Sequence, residues 1–532
     1  MGAVVLLLLP ESSARLLLRA VALGFSLIAL VVGILVALQF KLGSGHGQFQ
    51  LTEVHNWIPQ FGVSYALGVD GIALGLILVS LVLVPISILA SWNDVPEGGR
   101  RERTYFALIL VLETFMVGVF AATDVFLFYV FFEVMLFPVY FLIGLYGGPR
   151  RQYAAMKFLL FSLAGGLIML VAVIGLYAQG LGGSHGFLVS SLTGLHMSET
   201  TGRLLFIGFF TAFAVKNPMW PVHTWLPDAV SESKPAIAVL LVSVLDKVGT
   251  FGMIRFCLQL FPEASKWATP VVITLAPISV VYAAVAAIGQ NDMMRLIAYT
   301  SVSHFGFIVL GIFAMTNTST IGSQLYMINH GFTTAALFLF AGFLIARGKS
   351  KNITDYGGWQ QVTPVLAGVF LVAGLSGLAL PGLNSFVSEF LVIMGTFQRY
   401  KVAGSIAVIG VVLAAFYVLL MVKNVMTGTK PQLIAAADGP HPHTGVSSTL
   451  FDESERNTEG ILAEARMHDI KIHDLNVREK VVAGVLVAFL ITLGFFPKPA
   501  LDLLRPAVAN TLQHVGVHDP VPDHGVAVEG SR

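Results

Sequence analysis

Apolar runs of about 20 residues, each long enough to cross a hydrocarbon core about 30 Å thick, recur along this chain and are separated by short polar or basic stretches. Near-continuous apolar runs of this length predict helices, whereas a membrane β-barrel would show shorter alternating segments. The pattern predicts spans at 16–38, 69–92, 104–122, 124–146, 155–179, 203–227, 235–259, 270–289, 295–315, 322–346, 364–399, 403–425 and 478–496. The apolar stub "MGAVVLLLLP" ahead of them reads as the tail of a shortened first helix, which makes about 14 helices and numbers these spans two to fourteen. The fold class is therefore an all-α polytopic membrane protein.

Two spans are interrupted, the seventh at "KNPMWP" and the twelfth at "LPGLN" (380–384). Proline removes a backbone donor and frees a carbonyl, and unwound backbone at membrane depth persists only where protein or water satisfies it. The two breaks lie five helices apart, so the two spans run in opposite directions. Breaks at corresponding positions predict two inverted repeats with function near the breaks. The predicted organisation is N-terminal helices and an external loop (1–103), a first repeat of helices four to eight (104–259), a second of helices nine to thirteen (270–427), a cytoplasmic loop (428–477), and a last helix with an external tail (478–532).

Composition supports this and removes other classes. Only 11% of residues are charged, against roughly 25% in globular domains, and mean hydropathy is +0.80. Net charge is +1, which offers no field for nucleic acid. Cys257 is the single cysteine, so a disulfide framework, an iron–sulfur site and a Cys-based zinc site are excluded. No Gly-rich phosphate loop follows a strand, and no cofactor or metal is expected in the chain. Lys and Arg cluster in alternate loops, at Arg15 and Arg19, Arg100 to Arg103, Arg150 and Arg151, Lys234, Arg295 and Arg347 to Lys351, which places those loops in the cytoplasm. Segment 428–477 reads as a solvated loop with a short amphipathic helix near 459–470, and its His441 and His443 as loop composition; the tail 505–532 reads as disordered.

The candidate chemistry is a set of ionisable residues inside the spans, each costing roughly 2.5–3.5 kcal/mol at a helix centre and so needing a partner, water or a function. Counting inward at about 1.5 Å per residue, Glu133, Lys216, Lys247, His304 and His330 all fall near mid-depth, and Glu389 lies past the twelfth-span break toward the outside. A Lys–Glu pair in low dielectric works as a proton switch, because separating the charges loosens the proton and closing them holds it. Rows of Asp, Glu, His and Lys are the usual proton relays of pumps. His223, just past the first break, either relays protons or caps the break. Glu113 reads as paired with a neighbour and structural. Asp246 directly precedes Lys247, and the two point about 100° apart on a helix.

The stretches "FLFYVFFEVMLFPVYFLIGLYGG", "FAVKNPMWPVHTWLPDA", "RLIAYTSVSHFGFIVLGIF" and "LALPGLNSFVSEFLVI" resemble the antiporter-like membrane subunits of respiratory complex I, with the similarity running from about residue 60 to 500. A glutamate at 389 resembles the branch that carries Glu rather than Lys in the twelfth helix; cation/proton antiporter subunits share the same core. The resemblance implies that Glu133 pairs with Lys216, that Lys247 is the central lysine, that Glu389 hands protons outward, and that His223, His304 and His330 are accessory relay groups. It further implies neighbouring complex I subunits on both flanks, flavin, iron–sulfur clusters and quinone in partner chains only, lipid and protons as the other contacts, and a bacterial cytoplasmic membrane. The chain departs from the family pattern at Asp246, where leucine is common; this puts a carboxylate near the central lysine as a modulator of it.

Overall fold

The structure, a computed structural model, describes residues 1–10, 14–43, 46–95, 99–180, 182–183, 185–429 and 472–520. The predicted 459–470 helix, His441 and His443 lie outside them. The chain opens with α1 (Gly2–Leu8) and α2 (Arg15–Gln39). A hairpin of β1 (Gln50–Ile58) and β2 (Val63–Val69) follows, then α3 (Gly71–Ala90), α4 (Gly99–Ala121), α5 (Val125–Val134), α6 (Leu136–Tyr146) and α7 (Arg151–Gln179). After a one-turn helix α8 (Val189–Leu192), the seventh span divides into α9 (Glu199–Lys216) and α10 (Trp225–Glu232). Next come α11 (Pro235–Leu258), α12 (Pro262–Ile288), α13 (Met293–Ala314) and α14 (Asn317–Gly348). The twelfth span divides into α15 (Pro364–Gly377) and α16 (Asn384–Arg399), followed by α17 (Lys401–Met426), α18 (Val477–Phe495) and α19 (Lys498–Val515).

Every predicted span coincides with helix. Among the described residues ten helices are long and apolar enough to cross a membrane unaided, and α18 and α19 form a further pair bent by 67°. The chain is a multi-pass membrane protein. Two expectations are corrected. The chain is not wholly α-helical, because the loop after α2 forms the antiparallel hairpin, in which β1 is almost entirely exposed; its mixed polar sequence lacks the apolar alternation that marks a strand. Gly62 turns the hairpin with φ of +66°, a conformation that glycine adopts without Cβ strain. Residues 505–515 are not disordered but complete α19, whose buried Leu504, Ala507, Val508, Thr511, Leu512 and Val515 follow helical spacing. That face packs on α3 and α14. Gly71 permits the approach, since a Cβ there would lie 2.9 Å from the Leu503 carbonyl carbon.

α11 is buried throughout, and α13 and α14 nearly so, which places them at the centre of the bundle. Small residues allow this packing: a Cβ on Gly306 would meet the Ala276 carbonyl at 2.9 Å, and one on Gly311 would meet the Ser319 carbonyl at 2.9 Å. Away from the centre, Arg19 and Arg15 both reach Glu102, at 2.7 and 2.9 Å, and tie α2 to α4.

Candidate functional site

α9 ends at Lys216 because Pro218 cannot continue the ladder. The carbonyl of Val215 is freed and accepts the indole N–H of Trp225 at 2.9 Å. The detached half α10 is held by Asp228, which takes Lys157 of α7 at 2.6 Å and Arg295 of α13 at 2.5 Å. The break is therefore a built element with partners on both sides. Lys216 is fully buried, its Nζ has no hydrogen-bond partner among the described residues, and it faces the rings of Phe132 at 5.1 Å and Phe158 at 5.6 Å. Glu133, near the end of α5, has its Oε1 buried without a partner and lies against Gly166 of α7. The two charges act on each other, and Asp246 acts on Lys216 as well. No hydrogen bond closes the predicted Glu133–Lys216 pair.

Lys247 sits on a short α-helical turn of α11 flanked by π-helical segments Leu240–Leu245 and Met253–Leu258. Such bulges expose backbone carbonyls and recur at functional sites. Its Nζ donates to the Val242 carbonyl at 2.8 Å and meets Nδ1 of His330 at 2.6 Å, over the face of Phe305 at 5.0 Å. An ammonium only donates, so His330 accepts at Nδ1 and keeps its proton on Nε2, 3.1 Å from Thr334 Oγ1. His304 stacks edge-on to His330 with ring centroids 5.3 Å apart, and its Nε2 lies 3.4 Å from the Tyr417 hydroxyl. Tyr326, beside His304 at 5.8 Å between rings, donates to Glu389 Oε2 at 3.3 Å.

The second break is pinned just as firmly. Asn384 accepts Ser376 Oγ at 2.5 Å and Thr333 Oγ1 at 3.1 Å, and donates to the Asn329 carbonyl at 2.9 Å. Ala379, with φ of +57°, and Gly382, with φ of +95°, carry the reversal; the left-handed turn is costly for the first and easy for the second.

The structure thus joins Lys247, His330, His304 and Glu389 in one buried line and sets Glu133, Lys216 and Asp246 together at its other end. His223 does not cap the break by a hydrogen bond: both ring nitrogens are buried without partners, and the ring packs on Tyr282 at 5.1 Å. Glu113, expected to be paired, has no ion-pair partner among the described residues, and its Oε1 is buried alone. Tyr326, Tyr417 and Thr334 were not singled out from the sequence. Tyr326 and Thr334 stand four residues before and after His330, so helical spacing already puts them on its face.

The family described as NADH:quinone oxidoreductase/Mrp antiporter, TM, matches residues 122–415, a range that holds both breaks and Glu133, Lys216, His223, Asp246, Lys247, His304, His330 and Glu389. The chain belongs to this family. The amino-terminal family of NADH-ubiquinone oxidoreductase chain 4 matches residues 24–119. NADH-quinone oxidoreductase subunit M of Mycobacterium tuberculosis is 46% identical over 100% of this chain and 96% of that protein. The fold resembles a chain of respiratory complex I from Thermus thermophilus, with a TM-score of 0.81, 29% identity and 97% of both chains covered. It also resembles a chain of the Mrp complex from Dietzia, with a TM-score of 0.79 over 97% of both chains; at 19% identity that likeness is one of fold. The resemblance read from the four quoted stretches, to the antiporter-like membrane subunits of complex I, is borne out by the relative named subunit M.

Proposed function

We propose that this chain is the M-type proton-translocating membrane subunit of an NADH–quinone oxidoreductase in a bacterial cytoplasmic membrane. In this reading about 14 helices cross the membrane, helices four to eight and nine to thirteen form inverted repeats, and each repeat contributes one broken helix. The chain binds no NAD, flavin, iron–sulfur cluster or quinone; those belong to partner subunits, and membrane neighbours lie on both flanks. The observation that supports it most directly is the buried line from Lys247 through His330 and His304 to the tyrosines beside Glu389.

Redox energy released elsewhere arrives as a change of charge at Glu133 and Lys216. Closing or opening that pair sets whether Lys216 keeps its proton, and the change passes to Lys247. Lys247 exchanges its proton with His330, which accepts at Nδ1 and can release from Nε2. His304, Tyr326 and Tyr417 bridge to Glu389, which releases the proton outside. His223 supplies the cytoplasmic side of the first break. Moving one charge against 100 mV takes about 2.3 kcal/mol, which is fewer than two tenfold steps in proton affinity at about 1.36 kcal/mol each.

The test is NADH-driven proton uptake in inside-out vesicles that carry the assembled complex with K216M, K247M or E389Q. Each is expected to lose most of its pumping while the complex still assembles. Full pumping by all three would refute the relay, and sodium-gradient-driven proton flux without NADH would assign the chain to antiport instead.

A further inference from the structure

The relay has a gap between its two lysines. Lys216 Nζ lies among the rings of Phe132 and Phe158 with no hydrogen-bond partner among the described residues, while Lys247 Nζ is committed to the Val242 carbonyl and to His330. No hydrogen bond connects the two ammonium groups, and like charges do not exchange a proton directly. Next to Lys247 in sequence stands Asp246. It is fully buried, and neither carboxylate oxygen has a hydrogen-bond partner among the described residues. An unpartnered carboxylate inside a bundle costs several kcal/mol, and leucine at this place would avoid that cost.

Its position explains what it faces. Asp246 precedes Lys247 by one residue, about 100° around the helix. Gly249, three residues on and so on the same side, touches the broken end of α9: a Cβ there would lie 2.6 Å from both the Asn217 nitrogen and the Phe213 carbonyl oxygen. Gly252 abuts the Phe213 ring in the same way. The Asp246 side of α11 is therefore pressed against the end of α9 that carries Lys216, while Lys247 turns toward α14 and His330. The charged groups acting on Asp246 are Lys247 and Lys216. With Glu133 and Asp246 both ionised, the two carboxylates balance the two lysines, and the centre carries no net charge.

Building on the relay proposed above, we infer that Asp246 carries the proton from Lys216 to Lys247. The Lys216 side chain first swings within hydrogen-bond reach of Asp246; its ammonium then breaks one N–H bond and gives that proton to an Asp246 carboxylate oxygen, leaving a neutral amine and a neutral carboxyl. The carboxyl O–H then breaks, and its proton forms an N–H bond on a Lys247 amine that has already passed its own proton to His330. Asp246 is restored as carboxylate and Lys247 as ammonium. One aspartate thus serves both lysines because its neighbour in sequence faces the second repeat while it faces the first.

The experiment compares D246N, D246E and D246L in the assembled complex, with K216M and K247M alongside. Proton flux and NADH oxidation are measured in inside-out vesicles, and assembly on native gels. D246N keeps the shape of the side chain but cannot take up a proton, and should lower proton flux by about a hundredfold or more, the range of a lost proton-transfer group. D246E should restore most of it, and D246L should match D246N. Full flux in D246N, with K216M and K247M inactive, would overturn this inference and leave the relay standing. Full flux in all of them would overturn the relay itself. A direct readout holds even if D246N fails to assemble. Infrared difference spectra during turnover should contain a protonated-carboxyl band that shifts in D246E, and a spectrum without such a band would overturn the inference.

Discussion

Gly166 offers a way to disturb the Glu133–Lys216 pair without touching either residue. A Cβ at this position would run into Glu133 Oε1 and would lie 2.5 Å from its carboxyl carbon and 3.1 Å from Oε2, so its nearest contacts are all with this one carboxylate. To return to an ordinary contact of about 3.5–4.0 Å, the carboxylate must shift by about 1–2 Å. For unit charges at an effective dielectric constant of about 20, lengthening a separation from about 4 to 5.5 Å weakens the attraction by about 1 kcal/mol. That is about a fivefold change in how the pair divides between its closed and open arrangements. The backbone gains rather than loses, since alanine is about 1 kcal/mol better than glycine inside a helix. The clash is with the end of a flexible side chain, which can move. G166A should therefore assemble normally and pump about fivefold more slowly per NADH oxidised. The assay is the ratio of proton uptake to NADH oxidation in inside-out vesicles. Gly484→Ala, where a Cβ meets nothing within 4 Å, is the control and should behave as wild type. Wild-type coupling in G166A, with E133Q inactive, would show that the position of the Glu133 carboxylate does not govern the switch.

Two further outcomes test the surroundings of Glu389 and the second break. Y326F removes the hydroxyl that donates to Glu389 and keeps the ring beside His304; a hydrogen bond to a charged group is worth about 1.5–3 kcal/mol, so pumping should fall about tenfold with assembly unchanged. N384A removes the hydrogen bonds to Ser376, Thr333 and the Asn329 carbonyl, while Ser376 and Thr333 keep the one they share. At about 0.5–1.5 kcal/mol for each lost hydrogen bond, the complex should melt at a lower temperature or lose this subunit, as followed by thermal unfolding in detergent.

The spans, the two breaks and the row of buried charges were all legible in the sequence. The reason is that a hydrocarbon core sets the length of an apolar run, and each proline or charge inside one stands out against it. Glu133, Lys216, Lys247, His304, His330 and Glu389 could be placed by counting residues alone. Which of them meet is decided by packing across helices far apart in the chain. Lys247 reaches His330 across 83 positions, and the π-helical segments beside it depend on hydrogen bonding that no residue pattern marks. The hairpin escaped notice because its strands lack apolar alternation, and α19 because a proline and polar residues hide a helix stabilised by docking. Helical length and depth are local properties of the chain, whereas Glu133 beside Gly166, His330 beside Lys247 and Asp246 turned toward the end of α9 exist only once the helices have packed.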